Sequence, residues 1–119
     1  MIVNNLVSVI LDLPERFYSL GNRSIYDLLK ESGYFEHHAD VTTSEILKEL
    51  INHPRYLDHW ITWSENKRVP TGWYIEKVTD RYFVGYLSNM LRTNEAEYSD
   101  ESYAVANFIK LEIESIRNR

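Results

Sequence analysis

The stretch EHHAD sets Glu36, His37, His38 and Asp40 within five positions, and His53, Asp58 and His59 follow further along the chain. Imidazole and carboxylate are the ligand set of hydrolytic zinc and iron centres. A small metal-dependent hydrolase using His37, His38, Asp40, His53 and His59 is therefore one reading. The spacing argues against it. His37 and His38 are neighbours in an expected loop, His53 and His59 flank Pro54, and no HExxH-like pair shares a helix face. The bland alternative is a polar loop plus a histidine near a helix start, with no cofactor. Other catalytic signatures are missing as well. The sequence has no GxSxG or SxxK, and its four glycines form neither GxGxxG nor GxxxxGK[ST].

Glu95, Glu97, Asp100 and Glu101 crowd together in NEAEYSDE. A glycosidase-like site needs two carboxylates held in a cleft at a defined separation. In a polar stretch leading into a helix, these four read instead as a solvated acidic face. Their sharper use is to steer and orient a basic partner protein. The opposite charge gathers at Lys67, Arg68, Lys77 and Arg81, beside Trp63, Trp73 and Tyr82. Rings interleaved with cations hold single-stranded nucleic acid. With 13 basic against 18 acidic residues and a formal charge of −5, however, nucleic acid is not the expected partner.

The rings concentrate in GWYIEKVTDRYFVGYL, residues 72–87, which reads as an antiparallel hairpin turning at Thr79 and Asp80. That two-residue turn sets Trp73 opposite Tyr86, Ile75 opposite Val84 and Lys77 opposite Tyr82, a mostly apolar face for the core; a three-residue loop would shift the pairing by one and exchange partners. The other face pairs Tyr74 with Gly85, Glu76 with Phe83 and Val78 with Arg81. Tyr74 is expected to lie across the bare Gly85, leaving Phe83 half exposed among charges. Tyr74, Phe83 and Trp63 are the rings left over for partner contact. Tyrosine and tryptophan, nine and three here, are the types enriched at interface hot spots.

These residues need a scaffold, and the rest of the chain reads mainly as helix. Ile2, Leu6, Ile10 and Leu13 recur at helical spacing, widened by Val3 and Val7, until Pro14 ends or kinks the helix. The same valines would suit a strand. Glu15 to Leu20 forms a further short turn stopped by Gly21. Ser24 caps a helix that Gly33 ends. Thr42 and Glu45 have capping-box spacing before Ile46, Leu47, Leu50 and Ile51. Pro54 opens a helix carrying Leu57, Trp60, Ile61 and Ser64. SENKRVPTG reads as a loop, and residues 88–99 as polar and irregular. A long C-terminal helix starts near Ser99, with Asp100 and Glu101 in its first turn. Val105, Phe108, Ile109, Glu112 and Ile116 share one side of it. The expectation is a helix-rich α+β domain spanning 1–119, with four or five helices, one antiparallel hairpin and this helix packed upon it.

The chain has no cysteine, which excludes disulfides, catalytic thiols and thiolate zinc and fits a reducing compartment. Its longest apolar stretch, LVSVILDL, is too short to span a bilayer and lacks a preceding basic region. A cytoplasmic location without membrane association is expected. YLDHWITWSENKRVPTGWYIEK, followed by RYFVGYL, resembles small acidic bacterial proteins of uncharacterised families, some of them similar to immunity proteins that neutralise toxins. Immunity proteins share no motif, so the resemblance carries no site residue with it. It implies a cytosolic, non-catalytic module that binds a protein partner; a homodimer through the exposed hairpin edge or the C-terminal helix is a separate reading compatible with it. On the residues alone, the contact set is Trp63, Tyr74, Phe83, Glu95, Glu97, Asp100 and Glu101.

Overall fold

The computed structural model describes residues 2–67 and 71–119, and side chains from Asn5 onward. Among these residues the chain forms seven α-helices and one three-stranded antiparallel sheet. The α+β expectation stands, but the helices are more numerous than four or five, and the hairpin gains a third strand.

Helix α1 (Ile2–Leu11) resolves the helix-or-strand ambiguity, burying Leu6, Val7, Ile10 and Leu11 along one stripe. Pro14 does not end it. A single turn at Asp12 separates it from α2 (Leu13–Leu20), where proline sits within the first turn and breaks no hydrogen bond. Gly21 closes α2 in the left-handed region, at φ 74°, with its N–H donating to the Phe17 carbonyl. Ser24 accepts from the Asp27 N–H at 3.0 Å and caps α3 (Ile25–Glu31). Gly33, at φ 94°, turns the chain into the short α4 (Tyr34–His37) and a 3-10 turn over His38–Asp40. Those residues had read as a loop. Thr42 accepts from the Glu45 N–H at 3.2 Å and starts α5 (Thr43–Asn52).

Helix α6 (Arg55–Lys67) runs one turn further than its apolar pattern. Ser64 to Lys67, expected in a loop, stay helical because two of them bond to other elements. The Ser64 hydroxyl accepts from the Ile75 N–H and donates to the Ile75 carbonyl. Lys67 reaches Glu112. Arg68 lies outside the described residues.

Strands β1 (Gly72–Val78) and β2 (Arg81–Ser88) pair in the register read from the sequence, with Trp73 on Tyr86, Ile75 on Val84 and Tyr74 on Gly85. Thr79 takes the turn at φ 58°. The polar stretch after them is not irregular. Asn89 and Met90, at φ 51° and 73°, make a second two-residue turn into β3 (Leu91–Tyr98). Positive φ at both central positions is the turn geometry that matches strand twist. Between the Val84–Ala96 and Tyr86–Thr93 pairs, Asn94 and Glu95 together oppose Gly85. This is a β-bulge, with Asn94 at φ 53°.

The inner face of the sheet, with Ile75, Tyr82 and Val84 buried, packs on α6 and α7 (Glu101–Arg117). Asp100 caps α7 by accepting from the Ser102 N–H. Helix α7 also meets α3 and α5, so it buries Ala104, Val105, Ala106, Phe108, Ile109, Glu112, Ile113 and Ile116. Eight of its side chains are thus buried within the chain, while Tyr103 stays exposed.

Candidate functional site

Two of the three leftover rings are internal. Trp63 is buried edge-on against Phe17 and near Trp60, and its indole N–H donates to Glu112 at 2.9 Å. Tyr74 is buried although it stands on the outer face of the sheet. Its ring lies across Gly85, as expected, and its hydroxyl donates to Glu95. Arg92 covers the ring at 5.1 Å. Burial, followed by the bond to Glu95, pushes the Tyr74 hydroxyl up to about 12. Neither ring presents free surface to a partner in this structure. Phe83 alone stays half-buried on the outer face, between Glu76 on β1 and Glu97 on β3.

The four acids do not make a free negative patch either. Glu95 pairs with Arg92 at 3.3 Å, and Glu97 with Arg81 at 2.8 Å. Asp100 is the cap of α7, and Glu101 stands 3.9 Å from Lys77. Arg92 also holds Glu76 through two bonds of 2.9 and 3.0 Å, the bidentate geometry that guanidinium favours. That grip keeps the Glu76 carboxyl below its ordinary range. The outer face is thus a lattice of opposite charges across strands. The cations suggested for nucleic acid are spent in the same way: Lys67 on Glu112, Arg81 on Glu97, and Lys77 near Glu101.

The histidines are dispersed. His37 lies 3.9 Å from Asp40, His53 lies 3.7 Å from Glu49, and the His38 carbonyl accepts from Lys110. His59 sits apart, 3.7 Å from Glu15. Among the described residues, no three His, Asp or Glu side chains are grouped so as to hold a metal ion. The ligand set His37, His38, Asp40, His53 and His59 is therefore not assembled.

What the sequence reading missed is the rim. The two edges of the sheet differ. The β1 edge is met by Ser64 of α6, which satisfies both backbone groups of Ile75. Strand β3 is exposed from Leu91 to Glu97. At its start, Met90 and Leu91 are each 71% exposed, the most exposed large apolar side chains among the described residues. Met90 is also held at positive φ, which an unbranched side chain adopts only at a cost. The only signal for this turn in the sequence was Asn89, since methionine does not mark a tight turn.

No protein-family model matches the chain, and no curated protein or solved structure matches it significantly. No helix among the described residues is long and apolar enough to cross a membrane.

Proposed function

We propose that this chain is a non-catalytic protein-interaction module whose contact surface is the β2–β3 hairpin tip with the free edge and outer face of β3. The carrying observation is the conjunction at Met90 and Leu91: maximal exposure, apolar chemistry and a turn in the left-handed region. The partner is a protein offering an apolar cleft for these two side chains; Phe83, which pairs with Glu97 at the other end of β3, lies roughly 16 Å along the strand from the tip and is outside that contact. Burying two such side chains contributes about 3–5 kcal/mol to association before ordering costs. The charged lattice along Arg92, Glu95 and Glu97, together with the bulge at Asn94, opposes indiscriminate strand addition to this edge. It leaves the tip as the selective element. The acidic balance of −5 favours encounter with a basic partner. An immunity-type inhibitor that neutralises a toxin in the cytosol is the specific form of this reading, supported by the pattern-level resemblance and the missing catalytic motifs.

A photoreactive residue in place of Leu91, introduced in the native host, tests this. It should crosslink to one defined protein, whereas the same probe at the exposed Ile51 of α5 should not. Leu91→Asp should abolish co-purification of that protein and, for a toxin, the relief of its toxicity. No crosslink from residue 91, or the same product from residue 51, sinks the proposal.

A further inference from the structure

Helices α6 and α7 and the start of β1 bound a cavity of about 260 Å³ whose lining includes Ile25, Trp63, Lys67, Glu112, Ser115 and Arg119. Glu112 is the one charged residue buried among those described, with its side chain 3% exposed. Its Oε2 accepts twice, from the Trp63 indole N–H at 2.9 Å and from Lys67 Nζ at 2.8 Å. Its Oε1 accepts from no described residue, although an ionised carboxylate has acceptor sites on both oxygens. Lys67 is itself only 14% exposed, and it spends one of its three N–H donors on Glu112.

Desolvating two charges takes back much of what their attraction supplies, and packed apolar residues commonly hold a fold as well as a buried ion pair does. A buried pair on a cavity wall, with an acceptor and donors left over, therefore asks for an occupant. The other lining groups add to it. Ser115, three positions beyond Glu112 on the same face of α7, brings a hydroxyl with no bond among the described residues. Arg117 takes Glu114 at 2.8 Å, whereas Arg119 is exposed and has no acidic partner among the described residues. Two cationic side chains against one carboxylate disfavour a simple cation, and a simple anion leaves Glu112 Oε1 unmet. The set matches a molecule carrying an ammonium and a carboxylate together. The volume lies below the range of drug-sized ligand pockets, which restricts the occupant to a small one.

We propose that this cavity binds a free α-amino acid with a small apolar side chain. Its ammonium donates to Glu112 Oε1. Its carboxylate accepts from Lys67, Arg119 and the Ser115 hydroxyl, and its side chain turns to Ile25 and Trp63. Met90 and Leu91 take no part in this site, so it stands or falls apart from the β2–β3 tip.

L-Alanine, L-valine and L-leucine are the probes, each titrated into the full chain and followed by NMR at the Trp63 indole N–H and the amides of residues 112–119. At least one should give saturable shifts. Its N-acetyl derivative, which lacks the ammonium, and its amide, which lacks the carboxylate, should each bind at least tenfold more weakly. Glu112→Gln should weaken binding to a similar degree. Because that change alters a buried pair, Arg119→Gln on the exposed side is the second arm. It should keep the wild-type amide spectrum elsewhere and still bind about tenfold more weakly. No saturable shift with any of the three, equal binding of either blocked derivative, or unchanged binding in Arg119→Gln overturns the proposal.

Discussion

A β-carbon on Gly85 would stand 2.6 Å from the Tyr74 hydroxyl, 2.9 Å from its ring and 3.1 Å from the backbone of Glu95. The bare position is what lets an outer-face tyrosine lie flat and become buried, and the same contact removes Tyr74 from the interface list. Gly85→Ala should therefore destabilise the chain by about 1–3 kcal/mol, the usual consequence of overpacking. Urea unfolding checks this, and Tyr74→Ala should remove most of the penalty in the double variant. Glu112 poses the opposite problem. It sat in an otherwise apolar row of the sequence, and it is buried, accepting from Trp63 at 2.9 Å and Lys67 at 2.8 Å. Lys67→Met leaves a buried carboxylate without its cation and should cost roughly 3 kcal/mol. Adding Glu112→Gln, which keeps an acceptor for Trp63 without the charge, should restore most of that stability. A loss that persists in the pair would show that Lys67 acts through packing instead.

At the scale of elements, α4 is too short to persist alone and is held by α7. The Tyr34 hydroxyl donates to Glu114, while Lys110 donates to that hydroxyl at 2.8 Å and to the His38 carbonyl at 3.0 Å. Arg117 closes the cluster on Glu114 at 2.8 Å. Burial, then the bond to Glu114, holds the Tyr34 hydroxyl well above its ordinary range. Hydrogen bonding from Arg117 and then from Tyr34 pulls the Glu114 carboxyl down from 4.5 to about 2. A carboxylate lowered in the folded state stabilises above its unfolded value and loses that contribution as pH falls through the folded one. Wild-type stability should accordingly decline between pH 4.5 and about 2, more steeply than that of Glu114→Gln. Chemical denaturation at several pH values measures the two slopes, and parallel slopes would discount the cluster. The cap-led starts of α3 and α5 were legible because Ser24 and Thr42 bond to amides only a few positions away, whereas Asp100, read as a first-turn anion of a helix starting near Ser99, is instead the cap of α7. The last turn of α6 and all of β3 were not. Their stabilising partners lie on other elements: Ile75 and Glu112 for α6, Arg81 and Glu76 for β3.

For the whole molecule, α7 is the organising element, meeting α3, α5, α6 and all three strands. The radius of gyration is 13.5 Å, what a compact domain of this length gives (about 13.5 Å). The excess of acid is not spread evenly. Most carboxylates of the sheet and of α7 are matched by Lys or Arg, whereas Asp12, Glu15, Asp27 and Asp58 on the earlier helices have no such match among the described residues. The candidate surface is the apolar tip at the β2–β3 turn, where Met90 and Leu91 are bare.

Composition, helical periodicity, capping residues and the alternation within residues 72–87 were sufficient for the α+β class, for most helix starts and for the hairpin, while the structure chose its register over the one-residue shift that a three-residue loop would give. Those legible features depend on interactions between residues close in sequence. Tertiary structure alone decided which rings and charges are free. Trp63 and Tyr74 looked available and are buried, the four acids looked like a patch and are paired or capping, and Met90 and Leu91 drew no notice and are bare. Exposure depends on what the rest of the chain lays over a side chain, and residue type and spacing do not encode that. The coverings here are Gly85 with Arg92 for Tyr74, and Phe17 with Glu112 for Trp63.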